Sequence, residues 1–140
     1  MRIKIYKRIV LICVVVLLLA SCGKDKVNHS IIHSWKVERL KWEKITPDFT
    51  QAGEIEYQDS YLEFYSNGKG KWSGSIANRS FSYYLTDSML HMSEIIGEND
   101  YKIITLNGND LTLELNKEKV DWDKDGVAED IHDVFYCHRN

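Results

Sequence analysis

The chain has 140 residues, with 18 Lys and Arg against 21 Asp and Glu and a single proline. That length accommodates one folded domain and not two. The acidic balance argues against nucleic acid as a ligand, because a phosphate backbone and a net negative surface repel.

Taken in chain order, the first residues are basic (Arg2, Lys4, Lys7, Arg8) and are followed by the apolar run Ile9 to Ala20. This is the pattern of a secretory signal peptide, and the run is shorter than the roughly 20 apolar residues a membrane-spanning helix needs. The next residues, Leu19, Ala20, Ser21 and Cys22, resemble the lipobox of bacterial lipoproteins, where small residues fit the processing peptidase and the cysteine thiol carries the lipid. The resemblance implies that residues 1–21 are removed, that Cys22 becomes the acylated first residue, and that lipid anchors the protein to the outer membrane, facing the periplasm or the cell surface. Each buried methylene contributes ~0.8 kcal/mol, so several acyl chains hold such a protein stably. Removal of the leader leaves 14 basic against 21 acidic residues, a net charge of −7. Anionic headgroups then repel the polypeptide, and membrane contact falls to the lipid alone. Cys13 leaves with the leader and Cys22 is acylated, so Cys137 has no partner for an intramolecular disulfide. The fold must stand on its hydrophobic core, with Cys137 expected as a small buried hydrophobe in a strand and not as a reactive thiol.

Residues 22–30 are polar and aperiodic and read as a tether. The domain proper is expected over 31–140. There, short runs rich in aromatic and β-branched residues alternate with turn signals, and a 3.6-residue period is lacking, which argues for an all-β domain. Eight strands are predicted, at about 32–41, 61–65, 70–75, 80–85, 89–92, 101–106, 111–115 and 134–138. The segments "SNGK", "TDS", "IGEND" and "NGND" supply Gly, Asn or Asp where turns need positive φ. Leu111, Leu113 and Leu115 are expected to face a core, with Thr112 and Glu114 outside; Leu62 and Phe64 stand likewise against Tyr61, Glu63 and Tyr65. Consecutive hairpins without helical crossovers predict neighbouring antiparallel strands, and closing the sheet removes its exposed edges. The expected fold is therefore a small eight-stranded antiparallel up-and-down barrel. Two stretches interrupt the meander. Residues 43–60, with Pro47, are expected to form a long connection over one barrel mouth, and residues 116–133 form a second connection.

The segments "IIHSWKVERLKWEK", "YLEFYSNGKGKW", "YKIITLNGNDLTLEL" and "VFYCHR" resemble the lipocalin-like domains of bacterial lipoproteins. The resemblance covers nearly all of the mature chain. It implies that Trp35 lies in the first strand with Arg139 as the basic residue packed across its ring, although His33 stands where lipocalins carry glycine. It also implies a carrier of small apolar molecules, a property the fold does not by itself guarantee. An eight-stranded barrel holds one small ligand or is filled by side chains, and the chain's 16 aromatic residues (4 Trp, 8 Tyr, 4 Phe), Tyr6 of the leader apart, suffice to fill it.

Two groups of residues are candidates for chemistry. In "DWDKDGVAED", Asp121, Asp123 and Asp125 precede Gly126, an arrangement that collects carboxylate oxygens around a hard cation such as Ca2+. The Val127 carbonyl and Glu129 or Asp130 are expected to complete the set. His132 stands where an EF-hand needs its last glutamate, so the loop is not an EF-hand. The expected role is structural, ordering the last hairpin. The aromatic residues Trp42, Trp72, Tyr83 and Tyr84 are the candidate ligand-binding set, with Trp42 and Trp72 expected to be exposed because charged neighbours flank them. No two-His zinc spacing, nucleophile elbow or placeable carboxylate pair is present, so an enzyme is not expected. The expected function is binding of a small apolar or aromatic ligand by a monomer. The alternative is a protein-binding module, an enzyme inhibitor or a component of an envelope complex, acting through exposed loops.

Overall fold

The computed structural model describes residues 30–95 and 97–140. The expected signal peptide, Cys22 and all of the expected tether but Ser30 lie outside these residues. The described chain forms nine strands: β1 Ser34–Ile45, β2 Thr50–Glu56, β3 Ser60–Phe64, β4 Lys69–Gly74, β5 Arg79–Thr86, β6 Met89–Glu94, β7 Gly97–Leu106, β8 Asp110–Val120 and β9 Glu129–Arg139. Strands β3 to β9 form an antiparallel meander, and β1 closes it by pairing with β3 on one edge and β9 on the other. The fold is thus a closed eight-stranded antiparallel barrel with β2 as one extra strand.

The extra strand corrects the expectation for residues 43–60. β1 is long, and its two halves use one edge differently: Ser34–Lys36 pair with β3, whereas Arg39–Ile45 pair with β2. A tight turn joins β1 to β2, with the Thr46 amide and hydroxyl both donating to the Phe49 carbonyl at 2.9 and 3.0 Å. "TQAGEIE" carries no apolar alternation because nearly every residue of β2 is exposed. Its strand conformation comes from hydrogen bonding to β1, which no local pattern encodes.

Other boundaries also lengthen. β8 runs to Val120 and β9 starts at Glu129, so only residues 121–128 form the turn between them. Most of "IGEND", expected as a turn, belongs to β7, where Gly97 and Glu98 pair with Glu94 and Ser93. The positive-φ turns of "SNGK" and "TDS" are present at Gly68 (φ 74°) and Asp87 (φ 48°).

The alternation predicted from sequence sets the core. Leu62, Phe64, Leu111, Leu113 and Leu115 are buried with their expected parity. In β1 the parity changes at a bulge between Val37 and Arg39, so Trp35 and Val37 point inward first, and Leu40, Trp42 and Lys44 follow. The end of the barrel holding the 65–68, 87–88 and 107–109 turns is packed solid. Phe64 meets Phe81 and Tyr83 edge-on at 5.5 and 4.9 Å between centroids, Tyr83 Oη donates to the Tyr65 carbonyl at 2.7 Å, and Trp35 Nε1 donates to the Ile31 carbonyl at 2.9 Å. Each such ring or leucine contributes roughly 1.5–3 kcal/mol by leaving water. Cys137 lies in this core, and burial pushes its thiol up to about 12.

Candidate binding site at the open end of the barrel

The opposite end is built differently. The paired residues Trp42, Asp133 and Leu115 share one inward face across β1, β9 and β8, because directly opposed residues in a ladder point the same way. Asp133 therefore takes a core position, between Ile131 and Phe135 along β9. Tyr101 and Asn99 face inward from β7 and are buried. Tyr57, which follows β2, donates its amide to the Glu38 carbonyl at the β1 bulge and places its ring against the same region.

These five residues have one property in common. The Trp42 indole N–H, the Tyr57 and Tyr101 phenols, the Asn99 amide and the Asp133 carboxylate make no hydrogen bond with any described residue. Inward-facing polar groups in folded proteins are nearly always paired, with protein, water or a ligand. Trp42 and Asp133 are opposed in the ladder and Asp133 acts on both tyrosines, so these groups gather at one end of the barrel interior, hereafter the chamber, where their polar atoms are not sealed from solvent. The electrostatics agree. Burial lifts the Asp133 carboxyl above its ordinary range, against a smaller lowering by His132. Burial, with Asp133 adding to it, raises the Tyr57 phenol; burial raises Tyr101 too, with further pressure from Glu94 and Asp133.

A charged pair stands at the same end, between the first residue of β5 and the last of β6. Arg79 Nε meets Glu94 Oε2 directly, and Trp72 Nε1 donates to Glu94 Oε1 at 3.0 Å. Trp72 is 2% exposed and its ring leans on Phe135 at 5.8 Å, which corrects its expected exposure. Charged neighbours along β4 lie on the outer face, and Trp72 has the inward parity.

The four aromatic candidates thus separate. Trp42 has the inward parity, is partly buried and also borders a surface cleft with Gly53, His132, Val134 and Tyr136; Trp72 is buried against Phe135, and Tyr83 belongs to the packed end. Tyr84 is on the outer wall, stacked on His91 at 4.4 Å beside a pocket of about 100 Å³. There His91 bridges Thr86 Oγ1 (2.6 Å) and Asp100 Oδ1 (2.7 Å), a hydroxyl–imidazole–carboxylate chain. The neighbouring amides serve the β5–β6 and β6–β7 ladders. Sequence reasoning missed Tyr57, Asn99, Tyr101 and Asp133. The available signal was parity: Ile131, Phe135 and Cys137 alternate as core residues, and Asp133 is the charged exception. A strand begun at Val134 hid it.

At the rim stands the acidic turn. Asp121, Asp123 and Asp125 each offer a carboxylate oxygen within 4.8 Å of the others, as a divalent cation requires. Of the remaining predicted ligands, the Glu129 and Asp130 side chains have protein partners. Glu129 is fully buried, takes Lys44 Nζ at 2.5 Å and accepts from the Trp122 amide at 2.8 Å. Asp130 Oδ1 accepts from the Lys119 amide. The Val127 amide, not the carbonyl expected as a ligand, donates to Asp125. Lys44 also reaches Asp123 at 2.6 Å. This ammonium supplies a counter-charge to Asp123 and Glu129. It lowers the Asp123 carboxyl, and its hydrogen bonds to Asp123 and Glu129 raise its own pKa.

Trp35 and Arg139 are opposed in the β1–β9 ladder. The guanidinium, however, donates to the Gly108 carbonyl at 3.3 Å, and His33 packs edge-on against the indole at 5.9 Å. No family model, curated protein or solved structure matches the chain.

Proposed function

We propose that this chain is a lipid-anchored binding protein of the bacterial cell envelope that takes a small ligand with an apolar or aromatic body in the chamber lined by Trp42, Tyr57, Asn99, Tyr101 and Asp133. The observation that carries this reading is the set of inward polar groups without protein partners, standing beside aromatic rings at the open end of a closed barrel. Such a mixture of apolar wall and a few convergent polar groups is what small-molecule sites use. The leader and Cys22 support the envelope address. A ligand seated there quenches Trp42, so titrating the protein with a fluorescent apolar probe is expected to give one-site saturation with loss of tryptophan emission. Trp42→Ala abolishes that quenching, whereas Tyr84→Ala on the outer wall leaves it intact. Equal loss in both variants, or no saturable binding, overturns the reading.

One observation favours a protein partner as the second reading. The exposed Ile45, Phe49, Ile55, Trp122 and Val127 all lie on or beside the β1–β2 and β8–β9 hairpins, an apolar rim around the same end. Crosslinking from Phe49 and Trp122 positions in intact envelopes tests it: a discrete adduct supports a partner, and its absence opposes one.

A further inference from the structure

The charge of the chamber narrows its ligand. Arg79 and Glu94 neutralise one another, and Lys44 stands between Asp123 and Glu129. Lys117 donates to the Glu98 carbonyl at 3.5 Å and lies 5.5 Å from the Trp122 ring centroid. His132 points to the outer face, where Nε2 meets Glu114 at 2.9 Å and Nδ1 faces Glu43. Among the described residues, Asp133 is the charged group turned into the chamber without an ion-pair partner.

We infer that the chamber takes an organic cation, an ammonium or guanidinium group on an aromatic or short apolar body, with the Asp133 carboxylate accepting its N–H groups and the Trp42 and Tyr57 rings lying against it. This rests on the proposed function and specifies the ligand class of that same site. A half-buried carboxylate has lost hydration without gaining a counter-ion, and a bound cation restores that loss. The ring faces carry the negative end of their quadrupoles, so they add attraction for the same charge. An anion would meet the unpaired Asp133 carboxylate, and the two like charges repel. A neutral ligand leaves the carboxylate uncompensated. At the rim, Asp121 and Asp125 lie exposed and steer cations inward.

The test uses the full acylated chain in detergent and isothermal titration with three probes of one shape: phenethylammonium, 2-phenylethanol and phenylacetate. The ammonium is expected to bind one site at least about tenfold more tightly than the alcohol, with the carboxylate weakest. Asp133→Asn is expected to bring the ammonium down to the affinity of the alcohol, leaving the alcohol unchanged; Glu114→Gln, on the outer face, alters neither. Should Asp133→Asn fail to fold by circular dichroism, the three-probe comparison in the unaltered chain decides. Alcohol binding as tight as ammonium overturns the cation inference and leaves the proposed function standing, as does saturation by the apolar probe with none of these three. Failure of all four ligands overturns both.

Discussion

Gly53 shows how much of the chamber depends on a single missing atom. A Cβ there would sit 2.8 Å from two carbons of the Trp42 indole and 2.9 Å from its Nε1. The ring therefore lies directly over the β2 backbone, and only glycine admits it. Gly53→Ala is expected to displace the indole, weaken probe binding on the order of tenfold and cost about 1–3 kcal/mol in urea unfolding, the usual penalty of overpacking. Unchanged probe affinity would separate Trp42 from the site. Asp133 makes a second prediction at this scale, through pH. Burial raises its carboxyl in the folded chain, so the folded state holds the proton more tightly than the unfolded one. That contribution is fully present below the unfolded value of about 3.9 and is lost as pH rises through the folded value. Asp133→Asn is thus expected to raise the unfolding midpoint near about pH 7 and to leave it unchanged near about pH 3. Equal midpoint shifts at both pH values would show that the charge is not the cause.

At the scale of elements, the two hairpins at the open end behave as one unit. β1 and β9 are paired throughout, so the β1–β2 and β8–β9 hairpins rise side by side, and Lys44 of the first reaches into the acidic turn of the second. The alternation of aspartates was legible because turn chemistry is local; the ammonium that answers them comes from 79 residues earlier and was not. This settles how the calcium expectation is tested. Lys44→Met removes the resident cation and leaves Glu129 buried without its partner, so the variant is expected to melt below the parent in chelator. Added calcium should then raise its melting temperature more than the parent's, and Asp121→Asn, Asp125→Asn in the same background should cancel the gain. A calcium response identical in all three proteins would remove the metal from the account. β2 was illegible for a related reason: a strand exposed on both faces has no apolar period to display, and it forms because the upper half of β1 otherwise lacks a neighbour on that edge.

For the molecule as a whole, the barrel divides into a packed half and a half with unpaired polar groups. Phe81, 3% exposed and edge-on to Phe64 and Tyr83, belongs to the packed half. Phe81→Ala is expected to cost about 3–5 kcal/mol on unfolding while probe affinity stays within twofold or so of the parent, because the cavity opens away from the chamber. Probe binding that falls in step with stability would mean that the halves are not separable. The division also bears on the carrier expectation. Rings fill much of the interior, so the ligand is proposed to sit above them at the open end and not along the barrel axis.

What the amino-acid order determined on its own is the local part: the strands of the meander, the inward and outward parity of "YLEFY" and "LTLEL", the positive-φ turns at Gly68 and Asp87, the acidic cluster and the all-β barrel class. Each follows from contacts between residues one to four apart, where steric and hydrophobic preferences read directly from the chain. What only the tertiary structure decided is which residues meet. Trp35 opposite Arg139, Lys44 beside Asp123, and Trp42 with Tyr57, Asn99, Tyr101 and Asp133 at one mouth depend on strand register and on a one-residue bulge that reverses faces along β1. Register is set cooperatively by closure of the whole sheet, and no single segment contains the information.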